Sequence, residues 1–313
     1  MKQAIVTGAT GFVGSAVVRE LLEHDIEVLA LSRRPRADIA ESCIPIHRLA
    51  TCLELDLEHM AELPARAGAL GWRLGNQCVF FHFAWAGRSR LTDGGIDDQV
   101  RNVARAAGAV VAARALGCIR FVNAGTLEET FLERHLQADW LQPYHNPQQE
   151  LYAVAKLAAR DMCRLVAYLQ KIEYVHTRFS AFVDESLAGG GFIAAVLRQI
   201  RDGAPWDKPT NAHLFDLIPL REGARAYRLI GEHGVNKADY VIGSGFPRRL
   251  EDYFAAFDAM KRGVAPAARA PAAEAGPGRP VRFEDFQCPR LHRDTGFSLG
   301  TTLMESLAPL LKS

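Results

Sequence analysis

The stretch AIVTGATGFVG, residues 4–14, constrains the fold more than any other part of the chain. A short β-branched and apolar run ends in glycines at 8, 11 and 14, and a helical pattern begins at once, over 12–24. Strand, tight glycine turn and helix in direct succession is the opening of a β-α-β unit. Glycines at these places let the backbone turn sharply and let a pyrophosphate come close to the main chain. The helix N-terminus behind them offers unpaired N–H groups and the positive end of the helix dipole. The turn therefore suits a nucleotide cofactor. Its spacing, G-x-x-G-x-x-G, differs from the G-x-G-x-x-G fingerprint of many dehydrogenases.

The pattern that opens the chain repeats along it. Strand-like runs occur at 4–7, 27–32, 52–56, 79–84, 120–124 and 173–179, and helical periodicity fills 12–24, 58–70, 95–117 and 150–171 between them. This alternation predicts an α/β fold, a doubly wound parallel sheet covered by helices on both faces, with functional residues just beyond the carboxyl ends of the strands. The regular part is expected to span 1–180. Residues 181–313, where Gly- and Pro-rich loops separate helical pieces near 192–201, 221–233 and 249–261, are expected to form a smaller lobe. The Ala/Pro/Gly segment 263–280 reads as an exposed, poorly ordered connection.

Charge and cysteine usage exclude several functions. Lys plus Arg total 37 against 36 Asp plus Glu, a net charge of +1, so no global field recruits nucleic acid or an anionic membrane. The six cysteines, Cys43, Cys52, Cys78, Cys118, Cys163 and Cys288, are scattered without metal-ligand spacing, which predicts reduced thiols, no disulfide framework and no metal site. No signal peptide opens the sequence and no run approaches the ~20 apolar residues of a membrane span, so a cytoplasmic location is expected. At 49% hydrophobic, the chain can bury a large core. A small molecule is the expected partner.

The helical stretch ELYAVAKLAARDM, 150–162, sets Tyr152 and Lys156 four residues apart, hence on one face. A phenol is too basic for proton transfer at neutral pH, with a reference value of about 10, but a neighbouring ammonium favours its ionised form. The pair is suited to moving a proton.

Taken in order, TGATGFVG (7–14), LELDL (53–57), FHFAWAG (81–87), NAGTLEE (123–129), YAVAK (152–156) and TGFSLGTTLMESLAPLL (295–311) resemble the extended short-chain dehydrogenase/reductase family, in particular its branch acting on nucleotide sugars. FHFAWAG stands where that family has a His-Leu-Ala-Ala strand end. The resemblance covers nearly the whole chain and implies a Rossmann-type domain with an NAD(P) cofactor. It places Gly8, Thr10, Gly11, Phe12, Val13 and Gly14 at the pyrophosphate, Asp56 and Leu57 beside the adenine, and Phe83, Ala84, Trp85 and Phe179 along the cofactor. Tyr152 becomes the acid/base, Lys156 also holds the nicotinamide ribose, and Thr126 orients the substrate oxygen. At the end of the second strand, LSRRPR (31–36) has no acid to bind ribose hydroxyls as NAD would require. Ser32, Arg33 and Arg34 suit the 2′-phosphate of NADP instead. Asp56 could equally cap the helix that follows. His82, in an apolar strand, reads as a core residue.

The resulting expectation is an NADP-dependent oxidoreductase on a nucleotide-linked sugar, by 4-keto reduction or 4-epimerisation. The alternatives are a nucleotide-sugar 4,6-dehydratase, with Glu128 two residues after Thr126 as the elimination base, or a non-catalytic NADP-binding sensor. Glu129 could instead fill the non-catalytic acidic place of a Gly-Thr-x-x-Glu pattern. The family's Arg-x-x-Asn-x-Tyr-Gly-Pro is altered here, with Ala181, Val183 and Asp184 at the Asn, Tyr and Gly positions, so substrate contacts differ. The family's dimer, packed through the helices at 95–117 and 150–171, is expected as well.

Overall fold

A computed structural model describes residues 1–34, 50–73, 77–87, 95–138, 150–209, 214–264 and 282–311. Arg36, Cys43 and nearly all of the 263–280 segment lie outside the described residues.

Seven strands form one sheet in the order β10-β6-β5-β4-β1-β2-β3. They are β1 (Gln3–Thr7), β2 (Glu27–Ser32), β3 (Thr51–Glu54), β4 (Cys78–His82), β5 (Arg120–Ala124), β6 (Glu173–Phe179) and β10 (Asp239–Ile242), and every pairing is parallel. The sheet is buried on both sides, which is why its strands read as continuous apolar runs. Alternate residues still serve opposite cores. Ala4, Val6, Val79, Phe81 and Val122 enter one cluster, while Ile5, Cys78, Phe80 and Phe121 enter the other.

The first cluster is closed by α1 (Phe12–Glu23) and α7 (Leu220–His233), and the second by α2 (Leu63–Ala69), α3 (Ile96–Ala115) and α5 (Glu150–Gln170). On α1 the buried residues Val13, Val17, Val18 and Leu21 recur at helical spacing. The face of α3 toward the sheet is largely alanine (Ala106, Ala109, Ala112, Ala113), so its backbone approaches closely. A separate cluster joins α6 (Phe192–Asp202) and α8 (Leu250–Lys261) with Val183, Leu217 and the short helix α10 (Leu303–Leu307). Two-stranded pairs β7 (Ala181–Val183) with β9 (Leu217–Pro219), and β8 (Leu214–Phe215) with β11 (Arg248–Arg249), complete this region. The helix α9 (Pro289–Thr295) seats Leu291 in the first cluster.

Polar side chains inside the sheet are paired. Arg120 on β5 donates to Glu173 Oε2 at 2.6 and 2.9 Å and to the Gly231 carbonyl at 2.9 Å. No helix among the described residues is long and apolar enough to cross a membrane.

Three elements differ from the sequence reading. The helix expected over 58–70 is a 3-10 turn, Leu57–Glu62, followed by α2, with His59 outside helical geometry and Pro64 in the first turn of α2. Proline has no N–H to donate, so it starts a helix better than it continues one. Glu128–Ala138 forms a helix, α4, where a turn was expected. The edge strand β10 has only four residues, and two of them are partly exposed, which hides its pattern.

Candidate active site

The strand order reverses beside β1, whose neighbours β2 and β4 lead away in opposite directions, and a cleft opens there at the carboxyl ends of the strands. Its floor is the glycine turn. Gly8 has φ +66°, and a Cβ on it would lie 2.9 Å from the Ala84 nitrogen. A Cβ on Gly14 would overlap the Gly8 carbonyl oxygen. The chain's own packing thus demands two of the three glycines. Gly11, whose N–H donates to the Gly8 carbonyl at 2.9 Å, starts α1 with no side-chain cap and with no acid in the first turn. Phe12, Val13 and Gly14 line the cleft at that uncapped end, as do Gly8, Thr10 and Gly11. Uncapped first-turn N–H groups beside a bare backbone fit the phosphates of a nucleotide cofactor.

Thr7 ties this floor to β4. Its Oγ1 accepts from the N–H groups of Phe83 (3.2 Å) and Ala84 (3.3 Å) and donates to His82 Nδ1 at 2.9 Å. With Nδ1 accepting, the ring proton sits on Nε2. Burial, and secondarily the charge of Lys156, push His82 down to about 3, so it is neutral at physiological pH. His82 is a buried structural group, consistent with its reading as a core residue.

At the adenosine end, Ser32, Arg33, Arg34, Asp56 and Leu57 line the cleft. Ser32 Oγ lies 3.2 Å from Thr10 Oγ1 and accepts from the Arg34 N–H at 3.0 Å, and both arginines are exposed. Asp56 Oδ1 accepts from the Glu58 N–H at 3.0 Å, so it caps the 3-10 turn while also lining the cleft. Arg105 reaches the same end from α3 and pairs with Glu58. Nothing local marks Arg105 in the sequence.

At the other end, Tyr152 and Lys156 emerge from α5 beside Ala124, Gly125, Phe83, Ala84 and Phe179, all lining the cleft. Tyr152 and Lys156 are 8% and 6% exposed. Lys156 Nζ donates to the Ala124 carbonyl at 2.9 Å and sits 5.8 Å from the centroid of the Tyr152 ring. Trp85 packs against both: Nζ lies 3.8 Å from its ring centroid, and Tyr152 meets it edge-on at 6.1 Å. Two buried amides of α3 hold the segment after β4. Gln99 Oε1 accepts from Trp85 Nε1 at 3.0 Å, and Asn102 exchanges two 2.9 Å bonds with the backbone of Ala86. Their i, i+3 spacing on an otherwise apolar face of 95–117 is a sequence signal for both.

Thr126 and Glu128 are not among the residues lining the cleft; they follow Gly125 at its edge. Thr126 caps α4. Its Oγ1 accepts from the Glu128 N–H at 3.4 Å, and Glu129 Oε1 reaches back to accept from the Thr126 N–H at 2.8 Å, a Thr-x-x-Glu capping box. The other oxygen of Glu129 accepts from His176 Nε2 at 2.8 Å, and Nδ1 of that ring faces the Asn123 amide nitrogen at 3.2 Å. Glu129 is fully buried. Burial pushes its carboxyl up, but the charge and hydrogen bond of His176, the Arg178 guanidinium and the Thr126 N–H outweigh it and hold the group below the ordinary glutamate value. Gly125 separates this pair from the cleft, since a Cβ there would overlap both Glu129 Oε1 and the His176 ring.

A doubly wound parallel sheet with a phosphate-ready glycine turn at its switch point, and a buried Tyr/Lys pair at the far end of one cleft, defines a Rossmann-type oxidoreductase-like protein. The chain belongs to the NAD dependent epimerase/dehydratase family of enzymes, which it matches over residues 4–243, and is of the extended short-chain dehydrogenase/reductase type. Among solved structures it is similar to the UDP-glucose 4-epimerase of Thermotoga maritima, determined with UDP-glucose (TM-score 0.70, 17% identity, 99% of this chain and 97% of that one). It is also similar to the Bordetella bronchiseptica enzyme WbmF in complex with NADH (TM-score 0.73, 16% identity, 99% and 91%). A third is the UDP-N-acetylglucosamine 4-epimerase of Bacillus cereus (TM-score 0.71, 14% identity, 100% and 96%). No curated protein matches the sequence.

Proposed function

We propose that the protein is an NADP-dependent oxidoreductase acting on a nucleotide-linked sugar, by reducing a 4-keto group or by epimerising at C4 through a transient ketone. The observation that carries this reading is the placement of Tyr152 and Lys156: buried, on one face of α5, at the end of a cleft whose other parts suit a dinucleotide. When bound, the cofactor supplies or takes up the hydride. The chain's own residues do the rest. Tyr152 moves the proton at the reacting sugar oxygen, which must leave or arrive in step with the hydride. Lys156 holds a positive charge beside it and reaches toward the nicotinamide ribose. Thr126, its peptide fixed by Glu129, hydrogen-bonds the same sugar oxygen. The first turn of α1 takes the pyrophosphate, and Ser32, Arg33 and Arg34, with no carboxylate among them, take a 2′-phosphate. We further propose that the protein works in the cytoplasm as a homodimer.

The dehydratase alternative assigns C5 deprotonation to Glu128. Glu129, the other candidate acid, is committed to the buried His176 pair, which leaves Glu128 as the residue to test. Nucleotide-linked hexoses and their 4-keto forms are supplied with NADP(H) in deuterated water. C4 reduction or epimerisation leaves C5 unlabelled. Deuterium at C5 that disappears in Glu128→Gln would make the enzyme a dehydratase, and no conversion of any nucleotide sugar by the wild type would leave the sensor reading.

A further inference from the structure

Trp85 occupies the position of the second alanine in the family's His-Leu-Ala-Ala strand end, and the structure gives that large side chain a specific job. The Lys156 ammonium lies 3.8 Å from its ring centroid, well inside the ~6 Å range of cation–π attraction, and is almost wholly out of water. The ring itself cannot drift. Its Nε1 donates to Oε1 of Gln99, a side chain only 2% exposed, and the next residue, Ala86, is clamped by the two bonds of Asn102. On its other side the ring meets Tyr152 edge-on at 88°, so the same indole touches both members of the Tyr/Lys pair. A π face attracts an ammonium without requiring one N–H direction. It can therefore fix where the charge sits while the Ala124 carbonyl, at 2.9 Å, fixes how it is turned.

We propose that Trp85 is a positioning residue for Lys156, holding the ammonium against the cofactor side of the cleft, with Gln99 holding Trp85. The inference rests on the functional reading above, since it needs Lys156 to serve a bound dinucleotide. The test is a double-mutant cycle on NADP affinity, read by titration calorimetry so that turnover is not required. Trp85→Leu should weaken NADP binding about tenfold in the Lys156 protein, the size expected of a desolvated cation–π contact. The same substitution should change affinity little once Lys156→Met is present. Trp85→Phe, which restores an aromatic face, should recover part of the loss, and Gln99→Leu should give a smaller loss than Trp85→Leu.

Equal losses from Trp85→Leu in both backgrounds, or Phe no better than Leu, would make Trp85 a packing residue and overturn the proposal. If the wild type binds neither NADP nor NAD, the functional reading fails instead. The same cycle followed by urea unfolding then decides the contact: Trp85→Leu should destabilise the Lys156 protein more than the Lys156→Met protein, and equal destabilisation would refute the pairing.

Discussion

Glu129→Gln isolates the charge that organises the back wall of the site. In the wild type the two carboxylate oxygens accept from two separate donors, the Thr126 N–H and His176 Nε2, each at 2.8 Å, with Arg178 Nε 3.8 Å away. An amide has one acceptor oxygen, so one of those donors would face an NH2 group and be left buried without a partner, at a cost of ~1–3 kcal/mol. Weaker attraction to Arg178 adds to this, although that guanidinium keeps Glu133 (3.0 Å) and Asp239 (2.8 Å). A loss of about 3 kcal/mol near neutral pH follows, measurable as a lower urea midpoint at unchanged slope. The pH dependence fixes the cause. Because the folded value of Glu129 is held below its unfolded value, the stability it contributes is fully present above the unfolded value of about 4.3 and is lost as pH falls through the folded one. The gap between wild type and variant should therefore be constant from neutral to mildly acidic pH and close on further acidification. Turnover should fall with the Thr126 peptide released, while NADP affinity stays close to wild type. A variant as stable as the wild type, or a gap that persists unchanged into acid, would refute the reasoning.

Two further outcomes are expected. Replacing Arg33 and Arg34 together with alanine should weaken NADP binding by at least tenfold, by removing charge-assisted hydrogen bonds, and leave NAD affinity almost unchanged; equal losses in titration calorimetry would mean that the arginines do not read the phosphate. The outer faces of α3 and α5 leave Ile96, Val100, Val154, Met162, Leu165 and Tyr168 exposed, an apolar area suited to a second copy, so light scattering should report a dimer that Leu165→Glu dissociates. A stable wild-type monomer at micromolar concentration would count against that assembly.

The parts of the site that were legible in the sequence are those in which chemistry and local geometry share a few residues. The glycine turn, the arginines after β2 and the Tyr/Lys pair each lie within one element, and all line one cleft in the structure. Contacts between distant elements were not legible. His176 meets Glu129 across 47 positions and Asn102 meets Ala86 across 16, and no local periodicity announces either. Some signals were present but weak. Thr126 and Glu129 spell a capping box, yet α4 begins directly after a glycine and reads as a turn, because its apolar contacts come from only Leu127, Phe131 and Leu132. Pro64 in the same way marked the break between the 3-10 turn and α2.

The central claim is that Tyr152 transfers the proton in a hydride-transfer reaction at a sugar carbon. Its most direct test compares Tyr152→Phe with the wild type on a converted nucleotide sugar, with NADP affinity measured on the same preparations. The substitution removes one hydroxyl from an 8% exposed ring, so the fold and the cofactor affinity should persist. Turnover should fall by at least the ~10²-fold that general acid–base catalysis contributes. A Tyr152→Phe protein that binds NADP normally and turns over at close to the wild-type rate would contradict the account.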